Sequence, residues 1–151
     1  MEIRSDDVAE IARAAAVEAN RALGRAVVVD DTGFFIDALN GFPRAYPAFV
    51  LETIGRRGIL RLMEGVEDRR ARFVTAVAYC DGLQVKSFVG TMEGRIARDE
   101  RGTGGFGYDP IFIPEGHDST YAELSLEEKV SISHRTRAFT AFLEWYSSRG
   151  Q

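Results

Sequence analysis

The sequence predicts an α/β fold, and three patterns carry that prediction. An apolar stripe of helical period lies near the N-terminus, short apolar runs typical of β-strands occupy the middle of the chain, and a second amphipathic stripe lies near the C-terminus. The chain has 151 residues, which is long enough to bury a core of its own. We therefore expect one domain spanning residues 1–151.

A helix and a buried strand are the first elements that we expect. Residues 5–7 supply an N-cap with acidic first-turn residues, and Gly24 ends the helix. Residues 26–29 form a short continuous apolar run, which is typical of a buried strand. We expect this strand to stop at Asp30 and Asp31.

The middle of the chain predicts a loop rich in glycine and proline, two short helices and a β-hairpin, at residues 32–47, 49–54, 58–63 and 73–89. Asp81 and Gly82 supply the turn of the hairpin. Residues 90–97 extend its second strand. The loop is expected to leave the buried strand directly after its acidic end.

The last third of the chain predicts a loop at residues 98–107, a short strand at residues 111–113 and two helices. Ser125 opens the first of these helices, which carries Lys129. Ser133 caps the second helix, and its apolar face comprises Ala138, Phe139, Phe142, Leu143 and Tyr146.

Composition and charge indicate a protein of the cytoplasm. No apolar run approaches the ~20 residues of a membrane span, and no signal peptide begins the sequence. Cys80 is the only cysteine, so no intrachain disulfide can form. The formal net charge of −4 argues against a general nucleic-acid binder, because such proteins are usually basic.

An acidic pair stands where the predicted buried strand meets a glycine. Asp30 and Asp31 are followed by Thr32 and Gly33. Two adjacent carboxylates suit Mg²⁺, and one of them can take a proton from an attacking water. The same pair is equally typical of a turn that ends a strand.

A glycine-aromatic segment at residues 104–110 is a candidate ligand loop. Its three glycines let the backbone approach a ligand, while Phe106 and Tyr108 offer flat faces and Asp109 offers a carboxylate. A planar ligand with polar edges, such as a nucleobase, fits that combination. A tight turn without a ligand is the alternative interpretation.

His134 and Arg135 begin the last predicted helix, where backbone N–H groups and a guanidinium attract anions. The alternative is that Ser133 only caps the helix and both cations are solvated. His117 and His134 are the only histidines, and their spacing does not favour a zinc site. The sequence contains no Walker A, Rossmann or nucleophile-elbow motif.

Taken together, these segments closely resemble the inosine triphosphate pyrophosphatase family, whose members hydrolyse non-standard purine nucleoside triphosphates. The resemblance covers essentially the whole chain, in the order and at about the spacing of the family. The matching segments are residues 27–33, 37–43, 93–96, 104–112, 120–124, 128–129 and 133–135.

The resemblance implies a role for each matching site residue. Asp31 would be the general base, and Mg²⁺ would be held by Glu2, Asp30 and Asp31. The residues that would bind the nucleotide are Thr32, Phe106, Gly107, Tyr108, Asp109, Lys129, His134 and Arg135. Of these, Phe106 would stack on the purine, Lys129 would balance phosphate charge, and Arg135 would donate to the 6-oxo group.

The resemblance also implies an architecture and partners. We expect a long twisted mixed β-sheet flanked by helices, two lobes with a central cleft, and a homodimer that binds neither nucleic acid nor membrane. The family normally starts earlier, with a strand and a phosphate-binding Ser/Thr-x-Asn-x-x-Lys motif, so we expect that first strand to be missing. A nucleotide-binding homologue without turnover is therefore the alternative function.

Overall fold

The computed structural model describes residues 7–149, and it confirms the α/β class. Within these residues the α-helices are α1 (Val8–Leu23), α2 (Pro47–Thr53), α3 (Gly55–Leu62), α4 (Leu126–Ile132) and α5 (His134–Ser148). The β-strands are β1 (Val27–Ile36), β2 (Pro43–Arg44), β3 (Arg70–Cys80), β4 (Val85–Ile96) and β5 (Phe112–Pro114). Short 3₁₀ turns cover Asp37–Leu39, Asp109–Ile111 and Tyr121–Glu123.

The strands form one five-stranded sheet in the order β2-β1-β3-β4-β5. At one edge β2 runs antiparallel to β1, with Arg44 opposite Phe34. At the other edge β5 runs antiparallel to β4, with Ile113 opposite Arg95. The described registers are therefore antiparallel, whereas the resemblance implied a mixed sheet.

The chain divides into two compact units, and neither unit is continuous in sequence. Unit 1 comprises the described residues up to Thr32, the segment Val74–Thr91 and the described residues from His134 onward. Unit 2 comprises Gly33–Phe73 and Met92–Ser133. One domain over residues 1–151 stays a prediction, as does the absence of a first strand.

Unit 1 is built from α1, α5 and parts of the sheet strands. Asp7 is the N-cap of α1, and its side chain accepts hydrogen bonds from the backbone N–H groups of Ala9 and Glu10. Gly24 ends the helix at a φ of 68°, a left-handed conformation that glycine adopts without strain. The sequence prediction of this helix is confirmed. The core of the unit includes Val77, Tyr79, Ala138 and Phe142.

Unit 2 has an aromatic core. The rings of Phe34 and Phe73 stack with centroids 4.3 Å apart. Phe112 meets Phe73 edge to face at 4.7 Å, and Tyr121 lies 5.0 Å from Phe112. Such aromatic pairs stabilise a core by about 0.5–1.5 kcal/mol each beyond their burial. This cluster gives the loops of unit 2 a rigid support.

The structure corrects the sequence predictions for β1 and α5. The start of β1 is not buried as predicted for residues 26–29, because Val28 is 42% exposed and its neighbours Val27 and Val29 are only partly buried. The first strand does not stop at Asp30 and Asp31, because β1 continues to Ile36. Phe34 and Ile36 are fully buried, and packing of these apolar side chains extends the strand through the acidic pair. In α5, Leu143 and Tyr146 are about half exposed rather than part of a buried face.

Within residues 7–149, no helix is both long enough and apolar enough to span a membrane.

Candidate functional site

In unit 1, Asp30 and Asp31 lie side by side in the middle of β1. Successive side chains of a strand point to opposite faces, so the two carboxylates face different surroundings. The Oδ2 atom of Asp31 is buried and has no hydrogen-bond partner among the described residues. The carboxylate of Asp30 is partly exposed and forms an ion pair with Arg135, whose Nη2 atom lies 3.2 Å from Asp30 Oδ2.

Burial raises the pKa of the Asp31 carboxyl above its ordinary value, and the neighbouring charge of Asp30 raises it further. A hydrogen bond with the backbone at Thr32 opposes this rise, but burial is the largest cause. A carboxylate that is short of hydrogen-bond donors favours either a proton or a cation. Asp31 therefore has the properties of a base or a metal ligand.

Thr32, a predicted binding residue, has its hydroxyl 2.8 Å from the hydroxyl of Thr75 on β3. Thr75 is fully buried. The contact joins β1 to β3 directly beside the acidic pair, and it thereby fixes the strand that carries Asp30 and Asp31.

The N-terminus of α5 is held close to β4 in unit 1. A Cβ atom added at Gly90 would overlap the carbonyl oxygen of His134 and the backbone nitrogen of Ala138. Glycine is therefore required for this approach of strand to helix. His134 is buried, while the side chain of Arg135 is about half exposed and reaches Asp30. The same packing thus places Arg135 beside the acidic pair.

In unit 2, the glycine-aromatic loop is closed on itself. The backbone N–H of Phe106 donates to Asp109 Oδ2 at 3.0 Å, and the N–H of Asp109 donates to the carbonyl of Phe106 at 3.1 Å. Gly105 has a φ of 70°, and a Cβ atom there would overlap the Asp109 carboxylate. This turn holds the Phe106 ring outward, where it is 74% exposed.

Lys129 of α4 completes this loop. Its Nζ atom lies 2.5 Å from Asp109 Oδ2 and 4.6 Å from the centroid of the Phe106 ring. Ser125 and Glu128 form a capping box at the start of the helix, which confirms the predicted N-cap at Ser125. Lys129 is thus already paired with a carboxylate, and it lies beside the aromatic face that the sequence assigned to a nucleobase.

Tyr108 does not offer an exposed flat face. Its ring is buried against Phe34 at a centroid distance of 4.9 Å, and its hydroxyl donates to the carbonyl of Pro47 at 2.6 Å. Burial raises the pKa of the Tyr108 phenol to about 12. The side chain therefore anchors the loop to α2, and only the backbone of Tyr108 remains to meet a ligand.

Sequence reasoning missed Arg56 of α3, which contacts the same loop. Its Nη1 atom donates to the carbonyl of Gly107 at 2.9 Å, and its Nε atom donates to Glu100 at 2.5 Å. Residues 55–58 read Gly-Arg-Arg-Gly, and nothing in that local pattern tells which arginine turns inward. The contact spans 51 positions of the chain.

The predicted site residues thus form two groups. Unit 1 brings together Asp30, Asp31 and Arg135, with Thr32 and His134 next to them in sequence. Unit 2 brings together Phe106, Asp109 and Lys129, with Gly107 and Tyr108 between them in sequence. Glu2 lies outside the described residues. Within residues 7–149, no group of three or more His, Cys, Asp or Glu side chains is arranged to hold a metal ion.

Curated relatives and solved structures resemble this chain over nearly its whole length. The dITP/XTP pyrophosphatase of Methanopyrus kandleri is 54% identical over 148 residues, which cover 97% of this chain and 79% of the relative. The dITP/XTP pyrophosphatase of Saccharolobus solfataricus is 51% identical over 148 residues, covering 98% of this chain and 77% of the relative. The Ham1 protein of Staphylococcus aureus superposes with a TM-score of 0.88 at 37% identity, covering 97% of this chain and 80% of that one.

The sequence model of the Ham1 family matches residues 1–145. That range contains both groups of site residues. The chain therefore belongs to the Ham1 family.

Proposed function

We propose that this protein hydrolyses non-standard purine nucleoside triphosphates, namely dITP, XTP and ITP, to the monophosphate and pyrophosphate. Relatives about half identical to it carry the name dITP/XTP pyrophosphatase. The observation that carries the proposal is the Asp31 carboxylate, because its buried oxygen has no partner and its pKa is raised. Such a group is suited to accept the proton of a water that attacks a phosphate.

The residues of unit 1 fit a magnesium ion as the cofactor. The unpartnered Oδ2 atom of Asp31 is an oxygen ligand of the kind that Mg²⁺ prefers. Asp30 is proposed as a second ligand, which requires its carboxylate to leave the ion pair with Arg135 and turn towards the ion. One or two carboxylates are enough, since Mg²⁺ usually keeps several waters and takes further oxygens from substrate phosphates. When bound, Mg²⁺ supplies neutralisation of phosphate charge. Glu2 is proposed as a further ligand.

The residues of unit 2 support recognition of a purine. The exposed Phe106 ring is available for stacking, and the Asp109 carboxylate beside it offers an acceptor for the edge of a base. Gly107 and Tyr108 contribute backbone groups. The family resemblance implies that Lys129 balances phosphate charge, and for this role the substrate has to open the ion pair between Lys129 and Asp109.

We further propose that Arg135, with His134 and Thr32, belongs to the nucleotide site and that the Arg135 guanidinium donates to the 6-oxo group. Hypoxanthine and xanthine accept a hydrogen bond there, whereas adenine presents an amino donor. With adenine, the amino group and the guanidinium are both donors and neither finds an acceptor. The loss of that hydrogen bond discriminates strongly between substrates.

The protein would act as a cytoplasmic homodimer without nucleic-acid or membrane partners.

Pyrophosphate release from dITP, XTP, dATP and dGTP in the presence of Mg²⁺ tests the proposal. We expect kcat/KM for dITP to exceed that for dATP by at least two orders of magnitude, because a site that donates a hydrogen bond to the substrate rejects an analogue that lacks the acceptor. Equal turnover of all four nucleotides would contradict it. Binding of dITP without release would favour the alternative of a nucleotide-binding protein.

A further inference from the structure

We propose that Arg56 is a positioning residue for the purine-binding loop, which we define as residues 104–109. The inference rests on the proposed function, because it assigns Arg56 a part in holding the same substrate. It names a residue that the sequence pattern did not single out, and it concerns contacts within unit 2 alone.

The contacts of Arg56 reach the loop at the point where its backbone needs support. Gly107 has a φ of 61° and lies inside the turn that the hydrogen bond from the Asp109 N–H to the Phe106 carbonyl closes. The Arg56 guanidinium donates to the carbonyl of Gly107 at 2.9 Å. That carbonyl lies one residue after Phe106, so a change at Gly107 turns the exposed aromatic ring that we assign to the purine.

Glu100 fixes the guanidinium in turn. Arg56 Nε lies 2.5 Å from Glu100 Oε1, and the two side chains are 37% and 38% exposed. The planar guanidinium holds its Nε and Nη1 donors in a fixed geometry, so one side chain reaches both acceptors, whereas a lysine ammonium keeps the charge without that fixed fork. Arg56 thereby links the stretch before the loop, at Glu100, to the loop itself.

The other contacts that hold residues 104–109 do not reach the carbonyl of Gly107. The Asp109 side chain fixes the N–H of Phe106, the Gly104 N–H donates to the carbonyl of Ala122, and the Tyr108 hydroxyl donates to Pro47. The carbonyl of Gly107 is bound by Arg56. Loss of the arginine would therefore loosen the turn that runs from Phe106 to Asp109.

Arg56→Gln tests the inference, with Arg57→Gln as the matched control. Arg57 is the next residue of α3, carries the same charge and is exposed. We expect Arg56→Gln to raise KM for dITP about tenfold, the loss that follows from one charge-assisted hydrogen bond. The kcat should stay near the wild-type value, because the lost contact holds the base rather than the reacting phosphate. Arg57→Gln should change neither constant.

Hydrogen exchange separates a positioning role from direct substrate contact. In the ligand-free protein, Arg56→Gln should speed exchange of the amides of Phe106 and Asp109, while the amides of β5 keep their protection. Arg56→Lys should recover part of the KM and part of the protection. Glu100→Gln should also raise KM for dITP and speed exchange of the loop amides, but by less than Arg56→Gln does.

Two results would overturn the inference. A raised KM with unchanged exchange in residues 104–109 would make Arg56 a direct ligand of the substrate. Faster exchange throughout unit 2 together with a lower kcat would make it a general structural residue. If the wild-type protein does not hydrolyse dITP, the proposed function fails, and the exchange data alone decide whether Arg56 holds the loop.

Discussion

The buried oxygen of Asp31 makes a specific prediction at the scale of single residues. Asp31→Asn keeps the shape of the side chain but removes its ability to accept a proton. We expect kcat for dITP to fall about 10²- to 10⁴-fold, as for loss of a positioned general base. The melting temperature should not fall, since burial already disfavours the charge that the substitution removes. Turnover within tenfold of wild type would remove Asp31 from the role of base.

The Tyr108 phenol predicts how stability changes in alkali. Burial raises its pKa to about 12 in the folded protein, from an ordinary value of 10.0. Below pH ~10 the neutral phenol leaves the free energy of unfolding unchanged. Because the folded protein holds the phenol proton more tightly than the unfolded chain does, the free energy of unfolding falls by ~1.4 kcal/mol for each pH unit as the pH rises from ~10 toward ~12.

Urea unfolding of the wild-type protein and of Tyr108→Phe at pH 8, 10 and 11.5 measures this effect. The variant should be less stable at pH 8 by about 1 kcal/mol, because it loses the hydrogen bond to Pro47. Between pH 10 and pH 11.5, the free energy of unfolding should fall less for the variant than for the wild type, because phenylalanine has no phenol to ionise. Parallel pH curves for the two proteins would contradict the prediction.

At the scale of elements, the approach of β4 to α5 depends on Gly90. Gly90→Ala places a methyl group against the backbone of His134 and Ala138, so the helix must move away. We expect a loss of about 1–3 kcal/mol in the free energy of unfolding, as for overpacking in a core. Val89→Ala is the control, because Val89 is the adjacent residue and is 51% exposed.

The Gly90 variant also reports on Arg135. Since the same packing places Arg135 beside Asp30, displacement of α5 should reduce kcat/KM for dITP in Gly90→Ala and not in Val89→Ala. A Gly90→Ala protein as stable and as active as the control would show that the strand and helix can separate without consequence.

The sequence predicted the elements whose signals are local. Asp7 and Gly24 bound α1, and Ser125 begins α4, because caps are formed by neighbouring residues. The extension of β1 beyond Asp31 was missed, since it depends on burial of Phe34 and Ile36 against residues distant in sequence. Burial of Tyr108 and the contact of Arg56 were missed for the same reason. Spacing indicated which residues carry polar chemistry but not which of them pair.

For the whole molecule, binding should appear as thermal stabilisation. A non-hydrolysable dITP analogue with Mg²⁺ at ~100 times its Kd should add about 2.7 kcal/mol to the free energy of unfolding. The corresponding dATP analogue at the same concentration should add less, because adenine lacks the 6-oxo acceptor. Differential scanning calorimetry measures both, and equal shifts would argue against selection at the base.

The interleaving of the two units has a consequence for synthesis on the ribosome. Domains generally fold from the N-terminus as the chain emerges, at about 5–20 residues per second. Here the unit that holds the first described residues also needs the segment from His134 onward, whereas unit 2 is complete once Ser133 has emerged. Unit 1 can therefore be completed only after unit 2, because its segment from His134 onward is made after all of unit 2. Nascent chains arrested when Ser133 has just emerged from the ribosome should resist protease in unit 2 and remain open to cleavage in unit 1.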